Sequence, residues 1–298
     1  MRALLAAVST FLPAASLLAT TITVNSLTDA SGCSLRNAIV AANTNAASGG
    51  CTAGSGADDI SVAVAGTYAP ASPLPEISSI VTITATTGNF ELNGANAGAA
   101  DGIRFVSGSA GSRLTGLVIN GFSGSGVVLN TSGITLTQNR IGTDRFGVSP
   151  IPNCSGAPSS AGVLVDGVIH QTNVIGGSSS TDRNLISGNA CIGVRVVTGA
   201  ATISNNYIGT DYTGSNAIPN GDKGVAIETT SDNRVTNNVL SGNTVAQIIV
   251  ASGRLHLEGN LIGSNAAGTA RLANAPFADG VRALGAGAIV TVVFNRFV

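Results

Sequence analysis

Apolar and polar residues alternate along most of this chain in short runs, as around Ile134-Thr-Leu136 and Leu255-His-Leu257. A period of two, rich in β-branched residues and broken by Gly and Asn, predicts short half-buried strands joined by tight turns. One strand pattern recurs as Gly102-Ile-Arg-Phe-Val106, Gly126-Val-Val-Leu-Asn130, Gly162-Val-Leu-Val-Asp166, Gly193-Val-Arg-Val-Val197, Gly224-Val-Ala-Ile-Glu228 and Gly280-Val-Arg-Ala-Leu284, with a degenerate copy in Ala246-Gln-Ile-Ile-Val250. The shortest step runs from Gly224 to Ala246. A coil of that length, about 22 residues, lengthened at one corner by insertions, is the signature of a solenoid. Stacked coils pair each strand with its equivalent in the next, in parallel and ~4.8 Å away.

Two further motifs fix the repeat. Asn139-Arg-Ile-Gly-Thr-Asp144 recurs as Asn206-Tyr-Ile-Gly-Thr-Asp211 and Asn260-Leu-Ile-Gly-Ser-Asn265, running on to Ile-Pro-Asn at 151–153 and 218–220 and to Leu-Ala-Asn at 272–274. Asn184-Leu-Ile-Ser-Gly-Asn189 recurs as Asn238-Val-Leu-Ser-Gly-Asn243. The interval from Asn184 to Asn238 equals that from Asn206 to Asn260, so two unrelated motifs share one period. Asn139, Asn206, Asn260 and Asn295 are expected to stack at one turn, their amides bonding to the backbone of neighbouring coils. The fold class is therefore all-β, a right-handed parallel β-helix, closed at its N-terminal end by a helix. That cap is read over Ser34 to Asn45: Ser34 is a good N-cap, and Leu35, Ile39 and Ala42 share one face.

Composition narrows the class. Charged residues are 10% of the 298, against roughly 25% in an average domain, and Gly numbers 39. Hydrophobic residues at 44% exclude a disordered chain. A net charge of −1 with Lys223 as the one lysine gives no electrostatic footprint for nucleic acid or an anionic membrane. Arg2 followed by the apolar stretch Ala3–Leu18 predicts an export signal over residues 1–19, cut after Ala19 or after Ser16; no later run is long enough to span a bilayer. Export leads to an oxidising compartment, where Cys33 pairs with Cys51. Cys154 and Cys191 either pair likewise or leave Cys191 a buried free thiol.

Thr23-Val-Asn-Ser26, Cys33-Ser-Leu-Arg-Asn-Ala-Ile39, Ala41-Ala-Asn43, Cys51 and Gly54-Ser-Gly-Ala-Asp-Asp-Ile60 together resemble the CSLREA N-terminal domain that precedes β-helix repeats in exported bacterial proteins. The downstream repeats resemble the same proteins. The resemblance implies export, a β-helix over residues 61–298 behind an N-terminal strand and cap over 20–60, and no established reaction. Asn37 stands where that family has Glu. Being one methylene shorter, it is expected to close the capping box with Ser34 less well. Arg36 is expected to bridge to Asp58 or Asp59, or to stay solvated.

Chemistry in a β-helix needs a column of polar side chains on an outer face. In the Gly-Val-x-Val strands the third residues read Arg104, Val128, Leu164, Arg195, Ala226, Ile248 and Arg282. The fifth read Val106, Asn130, Asp166, Val197, Glu228, Val250 and Leu284. The convergent set is Asp166, Arg195 and Glu228, whose bland reading is a surface ion pair. His170 and His256 stand apart and read as strand-packed residues. Asp144 and Asp211 precede Gly147 and Gly214 by three, a β-turn spacing that also admits a calcium loop. No cofactor fingerprint and no metal-ligand spacing appear. The expected function is an exported or surface-displayed scaffold with a structural, adhesive or glycan-binding role. Its partners would be extracellular glycans or cell-surface components; the alternative is a polysaccharide-active lyase or hydrolase. The final strand pattern, Val293 to Val298, carries no capping segment, which predicts either further chain or end-to-end self-association.

Overall fold

A computed structural model describes residues 19–29, 31–156, 159–167, 170–272 and 279–298. The expected signal over 1–19 lies outside these residues except for Ala19, as does Asn274 of the third repeat. Three sheets of ten, nine and seven strands, every strand pair parallel, wind as a parallel β-helix. The ten-stranded sheet counts ten coils, so its strands span roughly 43 Å at ~4.8 Å per coil.

Up to the last coil, alternation places one apolar residue of each strand in a continuous interior row. On the ten-stranded sheet the row runs through Ile22, Ile60, Ile83, Leu114, Leu136, Ile175, Ile203, Val235 and Leu257, all fully buried. The nine-stranded sheet contributes Tyr68, Leu92, Ile119, Ile141, Ile186, Ile208, Leu240 and Ile262. Each such side chain contributes roughly 1.5–3 kcal/mol of burial.

The seven-stranded sheet consists of the seven Gly-Val-type strands, from Ile103–Phe105 to Asp279–Ala283. Its register corrects the degenerate copy by one residue: Ala226 faces Ile249, not Ile248. Gln247 thus takes the glycine's place, since Val225 faces Ile248.

The two motifs that share a period occupy the same place in successive coils. Leu185 and Ile186 pair with Tyr207 and Ile208, which pair with Val239 and Leu240. The shared period is two coils, of 22 and 32 residues. The asparagine ladder is accordingly denser than expected: Asn184 and Asn238 interleave with Asn139, Asn206, Asn260 and Asn295. Each amide but that of Asn295 donates to the next coil's asparagine and to a carbonyl of the coil before, as Asn206 does to Asn238 Oδ1 at 3.1 Å and Ile175 O at 2.8 Å. The residues before four of them, Gln138, Asn205, Asn237 and Phe294, hold φ between 52° and 60°. Such a left-handed residue turns the chain from one sheet to the next. A second ladder, Asn153–Asn189–Asn220–Asn243, ends on Gln247. It joins the ends of both motifs, so Ile-Ser-Gly-Asn is the short form of a corner that Ile-Gly-Thr-Asp…Ile-Pro-Asn lengthens with a hairpin.

The cap is the helix Leu35–Thr44 with Ser34 as N-cap and Asn45 as C-cap. Ser34 Oγ accepts the Asn37 amide at 3.3 Å. Asn37 does not reach back to the N-cap; its side chain donates to Gly32 O at 2.9 Å, holding the loop that leads into the helix. Arg36 also departs from expectation. It bridges Asp29, not Asp58 or Asp59, through Nε at 2.8 Å and Nη2 at 3.0 Å. Asp58 is instead fully buried, with Oδ1 accepting the Ser55 and Thr20 amides. The strand Asp58–Val62 pairs with Thr21–Val24, so a boundary between residues 60 and 61 cuts through the first two coils. Both disulfides are formed, Cys33–Cys51 and Cys154–Cys191.

Candidate functional site: a groove of arginines and tyrosines

Of the expected trio, the structure joins two. Arg195 grips Glu228 with Nη2–Oε2 at 2.8 Å and Nε–Oε1 at 3.1 Å, and its Nη1 donates to Ser159 O. Asp166 is not in the column. The register shifts after Val165, so Asp166 faces Thr198, whose hydroxyl donates to its carboxylate at 2.9 Å. An irregularity of one residue carries a side chain out of its column. What remains is a closed, bidentate ion pair with neither a free acid nor a free base. His170 lies exposed in a bend, not on a strand. His256 lies on the strand Arg254–Glu258 but faces outward, with Nε2 2.9 Å from Glu258 Oε2.

A more open arrangement lies on the outside of the nine-stranded sheet. There the outward row is the variable residue of each Asn-x-Ile motif: Arg140, Leu185, Tyr207, Val239 and Leu261. The three insertions fold over this row as hairpins, closed by the bridges Thr143–Pro150, Thr210–Ala217 and Ser264–Arg271. Successive hairpins also bond to one another, Tyr212 N to Gly147 O at 3.0 Å and Ala266 N to Gly214 O at 2.8 Å. Leu185, Tyr207 and Val239 are thereby buried outside the main core, forming a small second one with Leu261 and Ala266.

Where the hairpin stack meets the sheet, a groove of ≈350 Å³ opens, lined by Arg140, Arg183, Tyr207, Tyr212 and Gln138. Arg183 sits with Cζ 3.9 Å from the Tyr207 ring centroid and donates Nε to Asn205 O at 3.2 Å. Cation–π contact fixes the guanidinium without neutralising it. Arg140 makes no side-chain hydrogen bond or ion pair with a described residue. Tyr212, 54% exposed, forms one wall. Beyond it the first hairpin shows Phe146, 59% exposed, with Arg145 Cζ 5.0 Å from its centroid.

Among the described residues no ion pair joins the nearby acids to these arginines; their carboxylates bond within their own turns. Asp144 Oδ1 accepts the Val148 and Ser149 amides. Asp211 accepts from the Ser215 and Asn216 amides, from Thr213 Oγ1 and from Asn216 Nδ2. Burial alone raises the Asp211 carboxyl, but these hydrogen bonds outweigh it and hold it below the usual carboxylate range. Each aspartate thus ties its own turn, with Gly147 and Gly214 donating to Asp144 O and Asp211 O at 3.0 Å. Asp182 is held in a capping box with Ser179. Among the described residues no three His, Cys, Asp or Glu side chains converge as a metal site would require.

The groove therefore offers one guanidinium held over Tyr207, a second without a side-chain partner among the described residues, and an exposed aromatic wall. Arg140, Arg183, Tyr207 and Tyr212 are not among the residues expected from sequence, because they lie off the outward column of the Gly-Val strands. The signal was present in the variable position of Asn-x-Ile, which holds Arg140 and Tyr207. No family model, curated protein or solved structure matches the chain.

Proposed function

We propose that this protein is an exported or surface-displayed β-helix scaffold that binds acidic glycans in the groove beside its hairpin stack. The carrying observation is the pair Arg140 and Arg183, left without an acidic partner next to an exposed tyrosine. Guanidinium groups take carboxylates and sulfates in bidentate fashion, and a tyrosine ring offers an apolar face to the C–H side of a sugar. Two disulfides, and the absence among the described residues of a helix long and apolar enough to cross a membrane, fit an extracellular setting. The likeness of the N-terminal segment to the CSLREA domain supports export.

The test is retention and cleavage measured together on a panel of acidic and neutral glycans. Acidic glycans are expected to be retained without turnover, and Arg140→Ala combined with Arg183→Ala to weaken retention at least tenfold. Reducing or unsaturated products that disappear in Glu228→Ala would overturn the scaffold reading in favour of a lyase or hydrolase. Equal retention of neutral and acidic glycans would overturn the role given to the arginines.

A further inference from the structure

The outer face of the ten-stranded sheet holds a second groove, of ≈390 Å³. It lies across the strands Asp232–Thr236, Arg254–Glu258 and Ile289–Val293. Parallel register sets Thr202, Arg234, His256 and Thr291 in one outward row, each on its own coil. Neighbours in such a row are ~4.8 Å apart.

Five ionisable groups meet there, and four are paired. Arg254 Nε lies 4.0 Å from Asp232 Oδ1, and His256 Nε2 lies 2.9 Å from Glu258 Oε2. Arg234 is exposed and makes no side-chain hydrogen bond or ion pair with a described residue. Arg234 is thus the guanidinium of the groove without an acidic partner among the described residues, flanked along the row by a hydroxyl on one side and by an imidazole and a second hydroxyl on the other. Ile289, 52% exposed, adds an apolar edge.

We propose that this groove is a second saccharide site, on a different face of the helix from the Arg140–Arg183 groove. Arg234 takes a carboxylate or sulfate group, and Thr202, His256 and Thr291 take ring hydroxyls along the row. The guanidinium has a full fork of free donors, the geometry that a planar acid group matches. Hydroxyls and imidazole supply the directional hydrogen bonds that a sugar needs and a simple ion does not. The apolar edge at Ile289 matches the C–H face of a sugar ring. The ligand class rests on the function proposed above; the place does not.

Titration calorimetry with an oligogalacturonate, and with a neutral cello-oligosaccharide of the same length, separates the two grooves. Protein carrying Arg140→Ala and Arg183→Ala is expected to keep a residual site for the acidic sugar alone. Adding Arg234→Ala and His256→Ala is expected to abolish it, with an unchanged circular dichroism spectrum because Arg234 is exposed and His256 faces outward. Residual binding that survives all four substitutions overturns this site, as does its complete loss after the first two. If the first pair changes nothing and Arg234→Ala alone removes binding, this site stands and the hairpin groove falls. Wild-type protein that binds neither sugar overturns both.

Discussion

Asp29 fastens the N-terminal cap to the first coils. Its carboxylate receives Arg36, the Ala71 amide and the Tyr68 hydroxyl, and Arg36 goes on to Ser72 O and Pro73 O. Burial pushes the Asp29 carboxyl up, but hydrogen bonds from Arg36, Tyr68 and Ala71 outweigh it and hold it below the ordinary value. Burial, with Asp29 beside it, pushes the Tyr68 phenol upward. A carboxyl whose folded pKa is depressed contributes its full stability above the unfolded value of roughly 3.9, and loses it as pH falls through the folded value. Thermal midpoints are therefore expected to drop on acidification below about pH 4. Asp29→Asn should lower the midpoint at pH 7 and flatten its fall between about pH 5 and 2; only part of the slope should vanish, since Asp211 is depressed in the same direction. An unaltered slope would remove Asp29 from this role. At the same scale, the asparagine ladder was legible because Asn recurs in fixed motifs. Arg36 was misassigned because its partner, Asp29, lies outside the motif that draws attention.

At the scale of elements, the hairpins decide what the surface offers. The coil carrying Ser187-Gly188 and the coil carrying Gly209 to Pro219 share their strand register on both sides. Such coils are interchangeable at that corner. Replacing residues 209–219 by Ser-Gly is expected to preserve the helix, seen as an unchanged β-type circular dichroism spectrum. It should lower the midpoint, because Tyr207 and Val239 lose their cover, and weaken acidic-glycan retention, because Tyr212 leaves the groove wall. Loss of the fold would show that the hairpin is structural at its corner; wild-type retention would show that Tyr212 is dispensable. The bulge opposite Asp166, where Val197 is the extra residue between Val196 and Thr198, is the counter-example to reading elements from sequence. Nothing in Gly193-Val-Arg-Val-Val197 marks it, and it alone removes Asp166 from the column.

For the whole molecule, stability is a sum over neighbouring coils, as in any solenoid. Cys33–Cys51 closes an 18-residue separation under the cap, and Cys154–Cys191 one of 37 residues across two coils of the seven-stranded side. On chain entropy alone, closing such loops stabilises by about 3 and about 4 kcal/mol. Reduction is expected to lower the thermal midpoint, and Cys154→Ser with Cys191→Ser to reproduce the larger share. A midpoint indifferent to reductant would mean that coil stacking alone holds both regions.

By itself the sequence determined the solenoid. A period of two within strands, Gly and Asn at corners, and a short coil-length repeat are local properties that admit one way of burying alternate residues. It determined the cap for the same reason, since Ser34 and the helical face behind it are contiguous. Which outward residues share a surface was decided only by the tertiary structure. Arg140, Arg183 and Tyr212 meet because coils stack and hairpins lean back, and Arg234 and His256 meet because register aligns the strands of successive coils. Burial leaves a periodic mark on a sequence, because every inward position answers to the same core. Outward neighbours answer only to one another, and a bulge or an inserted hairpin resets them without any change in the inward pattern.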